Sequence, residues 1–457
     1  MNLDTTADPG RNPANSVGAL EEPIDMASFV DSQPIGRFHY LLLALAGSVM
    51  CLDGFDTQAI SFAAPSIARE WGLPVSALGP ILSAAIAGLM AGYLVLSPLA
   101  NRFGHRRLVL VCTAVFAVLT LLCAAATSPE QLIVLRFLTG TGLGGAIPSI
   151  VALVSEFAPK RRRASLVMFI YCWLALGFVA AGIISGFVIP AWGWRSMFVV
   201  GGVVPLVLLA FLLRYFPESP NFLIKTGAHD RALATLRRLA PSFRGEIILR
   251  ETASASMKSG TVDLVRGRWG IATGLLWIAF IANLGVFYGL QSWLPTIVTS
   301  SGHSRTIVIA ATVLTTIGGI VAASVIGPIM DRTNPFRTLS VVYLGGALLT
   351  GLMGFVIDGA STAVLLGSTF LAGTCVVGGQ MSVTALATVV YPLAMRPTGV
   401  GWALGMGRIG GIMGPLLVGL ALGADLPTRS VFVIMGVILV GASVSVFMLE
   451  RTMRNIG

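Results

Sequence analysis

Two acids, Asp53 and Asp56, stand inside the apolar run from Leu41 to Phe62, in the text C-L-D-G-F-D-T-Q. An acid near the middle of a membrane-spanning helix costs about 2.5–3.5 kcal/mol on insertion scales, so two in one run call for a use. Three positions apart on a helix, they lie about 60° apart around the axis and share a face. Either that face is a helix end whose acids reach the headgroups, or it is a polar seam on a water-filled cavity. In the second case two carboxylates repel each other in a poorly hydrated site, and a proton on one relieves the repulsion. Asp53 and Asp56 are then the candidate proton-coupling residues.

Two arginines have the complementary charge. Arg408 stands in G-M-G-R-I-G, about ten residues or roughly 15 Å into an apolar run, with no acid beside it. A guanidinium at that depth needs an anion, and a carboxylate fits its fork. The anion is either a substrate or one of the two acids on the first run. Arg136, in R-F-L-T-G-T-G-L-G-G, either snorkels to the nearer surface or faces the cavity to hold an anion or an aspartate. Candidate lining residues for an aromatic solute are Tyr288 and Gln291, which share a helix face, with Gln380 and Trp173 on other runs. Trp293, near a helix end, reads as an interfacial anchor.

A third group reads as a gate. Residues 97–107, S-P-L-A-N-R-F-G-H-R-R, are similar to the loop signature G-x-L-x-D-R-x-G-R-R of the major facilitator superfamily, with Ser97 for glycine and Asn101 for aspartate. Arg102 and Arg106 can reach helix C-termini and neighbouring acids when that side is closed. A second copy, G-P-I-M-D-R at 327–332, keeps its acid at Asp331, followed by Arg332. Glu156, Arg163 and Arg396 complete the candidate cytoplasmic gate, with a solvated helix end as the alternative for Glu156.

These residues need long apolar helices to hold them. The chain has 457 residues, 55% apolar and only 11% charged, which marks a polytopic membrane protein. Twelve spans are expected, near 40–62, 77–99, 108–127, 131–153, 165–188, 195–214, 270–294, 307–329, 337–357, 361–388, 399–421 and 428–449. About 24 of the 30 Lys and Arg fall in the termini or in loops on their side. That asymmetry predicts cytoplasmic termini, and it attributes the net charge of +10 to topology rather than to nucleic acid. The expected divisions are a disordered cytoplasmic tail (1–38), a six-helix half (39–215), a central cytoplasmic loop (216–268), a second six-helix half (269–450) and a short tail (451–457). The central loop is expected to hold one or two amphipathic helices on the membrane surface, between 230 and 250.

The halves repeat. Residues 97–102 align with 327–332 at an offset of 230, while Gly140, Thr141 and Gly145 align with Gly373, Thr374 and Gly378 at 233. Pro159 and Arg163 match Pro392 and Arg396, again at 233. The five cysteines fall in predicted spans, with neither a disulfide pattern nor metal spacing. No H-E-x-x-H, G-x-S-x-G or P-loop is present, so neither an enzyme nor a metal or organic cofactor is expected.

D-G-F-D at 53–56, R-F-L-T-G-x-G-L-G-G at 136–145, P-E-S-P at 217–220 and Y-P-x-x-x-R-x-T-G-x-G-W with G-R-I-G together resemble the aromatic acid:proton symporter family of the major facilitator superfamily. The resemblance runs from about Gly36 to Met448. It implies an all-α fold of two six-helix halves in a bacterial inner membrane, importing a benzoate-type acid with protons. It makes the acids at 53 and 56 essential and the arginines at 136, 396 and 408 functional candidates. The expected partners are a small aromatic acid, protons and lipid; the protein is expected to work as a monomer, with the proton gradient as its energy source. The competing readings are a carrier of sugar, organic ion or drug, and a sensor that binds the acid without moving it.

Overall fold

The computed structural model describes residues 24–241, 247, 248, 264, 268–357, 359, 361–392 and 395–456. Twelve helices among them are long and apolar enough to cross a membrane. Spans 1 to 6 are Arg37–Trp71, Val75–Phe103, His105–Ala124, Pro129–Phe157, Lys160–Trp192 and Arg195–Tyr215. Spans 7 to 12 are Trp269–Ser300, Arg305–Arg332, Pro335–Val356, Thr362–Val390, Thr398–Gly423 and Thr428–Arg454. An even number of crossings places both termini on one face, called here the termini face.

Local chemistry sets the ends. Span 4 starts where the Ser128 hydroxyl accepts from the Gln131 amide, with Pro129 in the first turn. Span 1 runs past the expected end at residue 62, through Pro65, to Trp71, and stops at Gly72 in a left-handed conformation (φ 61°). Its extra length puts Asp53 and Asp56 mid-helix, 7% and 3% exposed, rather than at a helix end.

The two halves pack alike. Span 1 lies on 5 and 6, span 4 on 2 and 3, and span 3 on 6; in the second half the same roles fall to 7 on 11 and 12, 10 on 8 and 9, and 9 on 12. Glycines mark the matching crossings. A Cβ on Gly140 would meet the Ala85 carbonyl, and one on Gly373 the Thr315 carbonyl. Gly88 against Phe137 has its counterpart in Gly318 against Phe370. The offsets are the 230 and 233 of the sequence repeat, so the repeat is one of helix packing as well as of letters.

Between halves, spans 1 and 7 pair with each other, 2 with 11, and 5 with 8. The polar and close backbone contacts there run from mid-span toward the far face. Ser83 donates to the Ile412 carbonyl (2.9 Å), and Gln58 Nε2 donates to the Gln291 carbonyl (3.3 Å). A Cβ on Gly419 would meet the Gly79 Cα at 3.1 Å, and one on Gly423 the Ser76 side chain. Among the described residues no hydrogen bond or ion pair joins the halves near the termini face. The halves therefore close on the far side and part toward the termini.

Near the termini face the structure departs from the expected tail and loop. Residues 1–23 lie outside the described residues, but Met26–Ser32 is a helix rather than disordered tail. Ile24–Asp25 pairs in parallel with Ile247–Ile248. Phe29, Val30 and Met26 bury themselves against Leu223, Ile224, Ala232 and Leu236 of the helices Pro220–Lys225 and His229–Arg237. The apolar face of the loop helices is thus covered by the chain's own N-terminal segment, where a membrane-surface position had been expected. Asp31 fastens the segment to the start of span 5, accepting from the Lys160 amide (2.8 Å) and pairing with its Nζ (3.0 Å).

Candidate functional site

Asp56 and Arg136 form a closed pair. Arg136 Nη1 lies 2.5 Å from Asp56 Oδ1, and Nη2 donates to the Asp56 carbonyl at 3.2 Å. The guanidinium is wholly buried, 5.9 Å over the Phe198 ring. Of the readings open for Arg136, snorkelling is excluded and an aspartate partner is what the helices provide. The pair lies within one half, and burial keeps Arg136 from lining a space a solute can enter in this conformation. Each charge offsets part of the desolvation cost of the other in an apolar setting.

Asp53, one turn earlier on the same face, has no such partner. Among the described residues it makes no ion pair or hydrogen bond, although Arg408 of span 11 lies within electrostatic reach. Arg408 donates instead to two phenol oxygens, Tyr288 of span 7 at 2.8 Å and Tyr93 of span 2 at 3.2 Å. Its guanidinium also sits 5.3 Å over the Tyr93 ring. Tyr171 of span 5 completes the surroundings of the charge. A small cavity of about 10 Å³, room for roughly one water, is bounded by Asp53, Asp56, Thr57, Tyr288 and Arg408. The arrangement offers one charge-paired, neutral contact and one cation held only by neutral hydroxyls, at the junction of the halves.

Tyr93 escaped the sequence reading; its only signal was a phenol one position past Gly92 in the small-residue face G-L-M-A-G-Y. Of the other lining candidates, Gln380 accepts from Asn283 Nδ2 at 2.6 Å, joining spans 10 and 7. Gln291 donates to Thr316 (3.0 Å), 2% exposed, on the far side of the Arg408 cluster. Trp173 lies against Gly47 of span 1 and edge-on to Phe169, a packing contact between spans 1 and 5. Trp293 is no interfacial anchor: it is fully buried and donates to the Pro415 carbonyl at 2.9 Å.

The gate candidates separate into two groups. Asn101, Arg102, Arg163, Asp331 and Arg332 are exposed and make no ion pair among the described residues, as expected where the halves have parted. The Arg396 side chain lies outside the described residues. Arg106 and Glu156 instead join a network inside the first half. Arg106 donates to the Leu213 and Phe216 carbonyls (2.6 and 2.8 Å), the end of span 6. Glu156 accepts from the Ser219 hydroxyl at 2.6 Å. P-E-S-P has a local use as well. Glu218 accepts from the Arg106 amide (3.0 Å), capping span 3 where Gly104 (φ 94°) leaves room for it. Ser219 caps the helix Pro220–Lys225.

Residues 46–415 match the Major Facilitator Superfamily, and the chain belongs to that family. Within it, the 4-hydroxybenzoate transporter PcaK of Pseudomonas putida is 37% identical, over 88% of this chain and 89% of the relative. The gallate transporter of the same organism is 35% identical over 91% and 93%, and the benzoate transport protein of Acinetobacter baylyi (strain ATCC 33305 / BD413 / ADP1) is 28% identical over 94% of both. In fold the chain is similar to the crystal structure of a D-xylose-proton symporter, at TM-score 0.67 with 18% identity, covering 89% of this chain and 97% of that one.

Proposed function

We propose that this chain is a secondary transporter that carries an aromatic carboxylate into the cell together with protons, by alternating access of its two halves. The observation that carries the reading is Arg408: a guanidinium at the junction of the halves, held by phenol oxygens and free of a carboxylate partner. A substrate carboxylate takes the place the phenols hold, with two tyrosine rings beside it for the arene. The named activities of the relatives, carriers of 4-hydroxybenzoate, gallate and benzoate, point to the same class of solute.

Asp53 is the proposed proton site. With Asp56 and Arg136 neutralising each other, Asp53 and Arg408 balance only at a distance. An entering carboxylate adds a negative charge there, so substrate and proton favour each other's binding. One proton cancels the roughly 2.3 kcal/mol per 100 mV that opposes an anion entering a negative interior, and a second makes entry inward-driven. The exposed loops at 97–107 and 327–337 meet when the termini face closes. In this reading the protein lies in a bacterial inner membrane with cytoplasmic termini, and one chain suffices because both halves of the site belong to it.

The test is uptake of labelled 4-hydroxybenzoate into vesicles under an imposed inward proton gradient, against glucose and an organic cation. Accumulation of the acid alone, lost when the gradient is collapsed, is expected. Failure across a panel of benzoates would return the chain to the other carriers of its family.

A further inference from the structure

A second cavity lies at the far face, where spans 1, 5, 7 and 8 meet. It measures about 190 Å³, against roughly 10–15 Å³ for one water on the same measure. Its cations are Arg69 and Arg305, Ser66 and Thr299 supply hydroxyls, Phe62 supplies apolar wall, and the His303 imidazole also lines it. Among the described residues no carboxylate lines it. Arg69 bonds only to its own helix, Nε to the Pro65 carbonyl (3.3 Å) and Nη2 to Ser66 (3.5 Å). Arg305 makes no ion pair among the described residues, and His303 is turned to the Ile357 carbonyl (3.0 Å).

Cations are scarce on this face, which makes their convergence informative. Arg69, Arg195, Arg305 and Arg429 stand at the far ends of spans 1, 6, 8 and 12, and Arg195 is taken by Glu70 (2.6 Å). Two of the other three point into one cavity whose floor, Phe62 and Pro65, belongs to the helix that carries Asp53. We propose that this cavity is an entry site that captures the aromatic carboxylate from outside before the far side opens, with Arg69 and Arg305 as its charge and Phe62 as the surface for the ring. The inference rests on the transport reading and adds a second, outer substrate site to it. Fixed cations at a mouth with low-dielectric walls raise the local concentration of an anion and its rate of entry.

The experiment is initial-rate uptake of labelled 4-hydroxybenzoate into oriented vesicles, by wild type, Arg69→Gln/Arg305→Gln and Arg69→Lys/Arg305→Lys. The glutamine variant is expected to raise the KM for entry from the far face by about 5- to 10-fold, with the maximal rate kept. It should also flatten the rise of KM with salt, leave the KM for exchange from the termini face unchanged, and be rescued by the lysine pair. A glutamine variant whose entry KM and salt dependence match wild type overturns the entry site while leaving the transport reading intact. Equal KM changes on both faces overturn it too, since they signify a general structural fault. A wild type that carries no benzoate removes both readings together.

Discussion

Asp56 and Asp53 stand one turn apart on the same helix, and each has an arginine near it, yet the two sites are built differently. Asp56 and Arg136 touch and lie buried within one half. Asp53 and Arg408 do not touch, belong to opposite halves and leave room for a water between their surroundings. A pair inside one rigid unit is available for holding that unit together; charges divided between units that move are available for a cycle. Position relative to the half boundary, rather than residue type, separates the two roles.

The comparison breaks first at Arg136. Arg136→Gln leaves Asp56 buried without a partner, and about 3–5 kcal/mol of stability should go with it, read as a large fall in folded yield and thermal midpoint. The double variant Asp56→Asn/Arg136→Gln should recover much of that loss. A stable Arg136→Gln protein whose only defect is transport would make this pair a transport element like the other. Next in size, Arg408→Gln should keep the fold but lower benzoate uptake by about 30-fold or more, from the ~2–5 kcal/mol lost when a charged partner is truncated. Unchanged substrate binding in that variant, by calorimetry, would assign the carboxylate to another cation.

Asp53→Asn sharpens the contrast at smaller amplitude. It should allow exchange of acid across the membrane but abolish the response to a one-unit pH gradient, worth about tenfold in accumulation per proton. Tyr93→Phe removes one of the two hydroxyls on Arg408 and should change the KM roughly 2- to 10-fold, in keeping with one hydrogen bond of about 0.5–1.5 kcal/mol. The smallest effect belongs to Asp31, outside the membrane. Burial pushes its carboxyl upward, but the Lys160 amide and ammonium outweigh that and hold it below the ordinary carboxylate value. Its contribution is therefore complete above that ordinary value and is lost as pH falls through the lower folded one. The protection of the amides of residues 26–32, taken relative to the intrinsic exchange rate at each pH, should not vary between about pH 5 and 8, and Asp31→Asn should lower it slightly.

What the sequence made legible follows from how local each signal is. Span number and the repeat rest on composition and spacing, which local letters carry. The first span's true end did not show, because Pro65, Arg69 and Glu70 look like a boundary while the helix continues through them. Arg136 and Arg408 were recognisable as charges needing partners, but which partner each has depends on rotation of helices 80 and more residues away. Tyr93 and Trp293 were hidden for the same reason: a phenol or indole in an apolar run has no local mark of the carbonyl or guanidinium it will meet. The helix Met26–Ser32 was lost in a polar tail because its three buried apolar residues find cover only in a loop some two hundred positions later.

The crossings of span 2 with 4 and of span 8 with 10 have one more consequence. Gly144 of span 4 lies against the Leu89 main chain, whereas at the matching place the glycine is Gly319 of span 8 and the other partner is Val377. Between the two copies, hollow and bump have traded helices while the crossing stayed close. The close approach, rather than the helix that supplies the glycine, is what the two halves share.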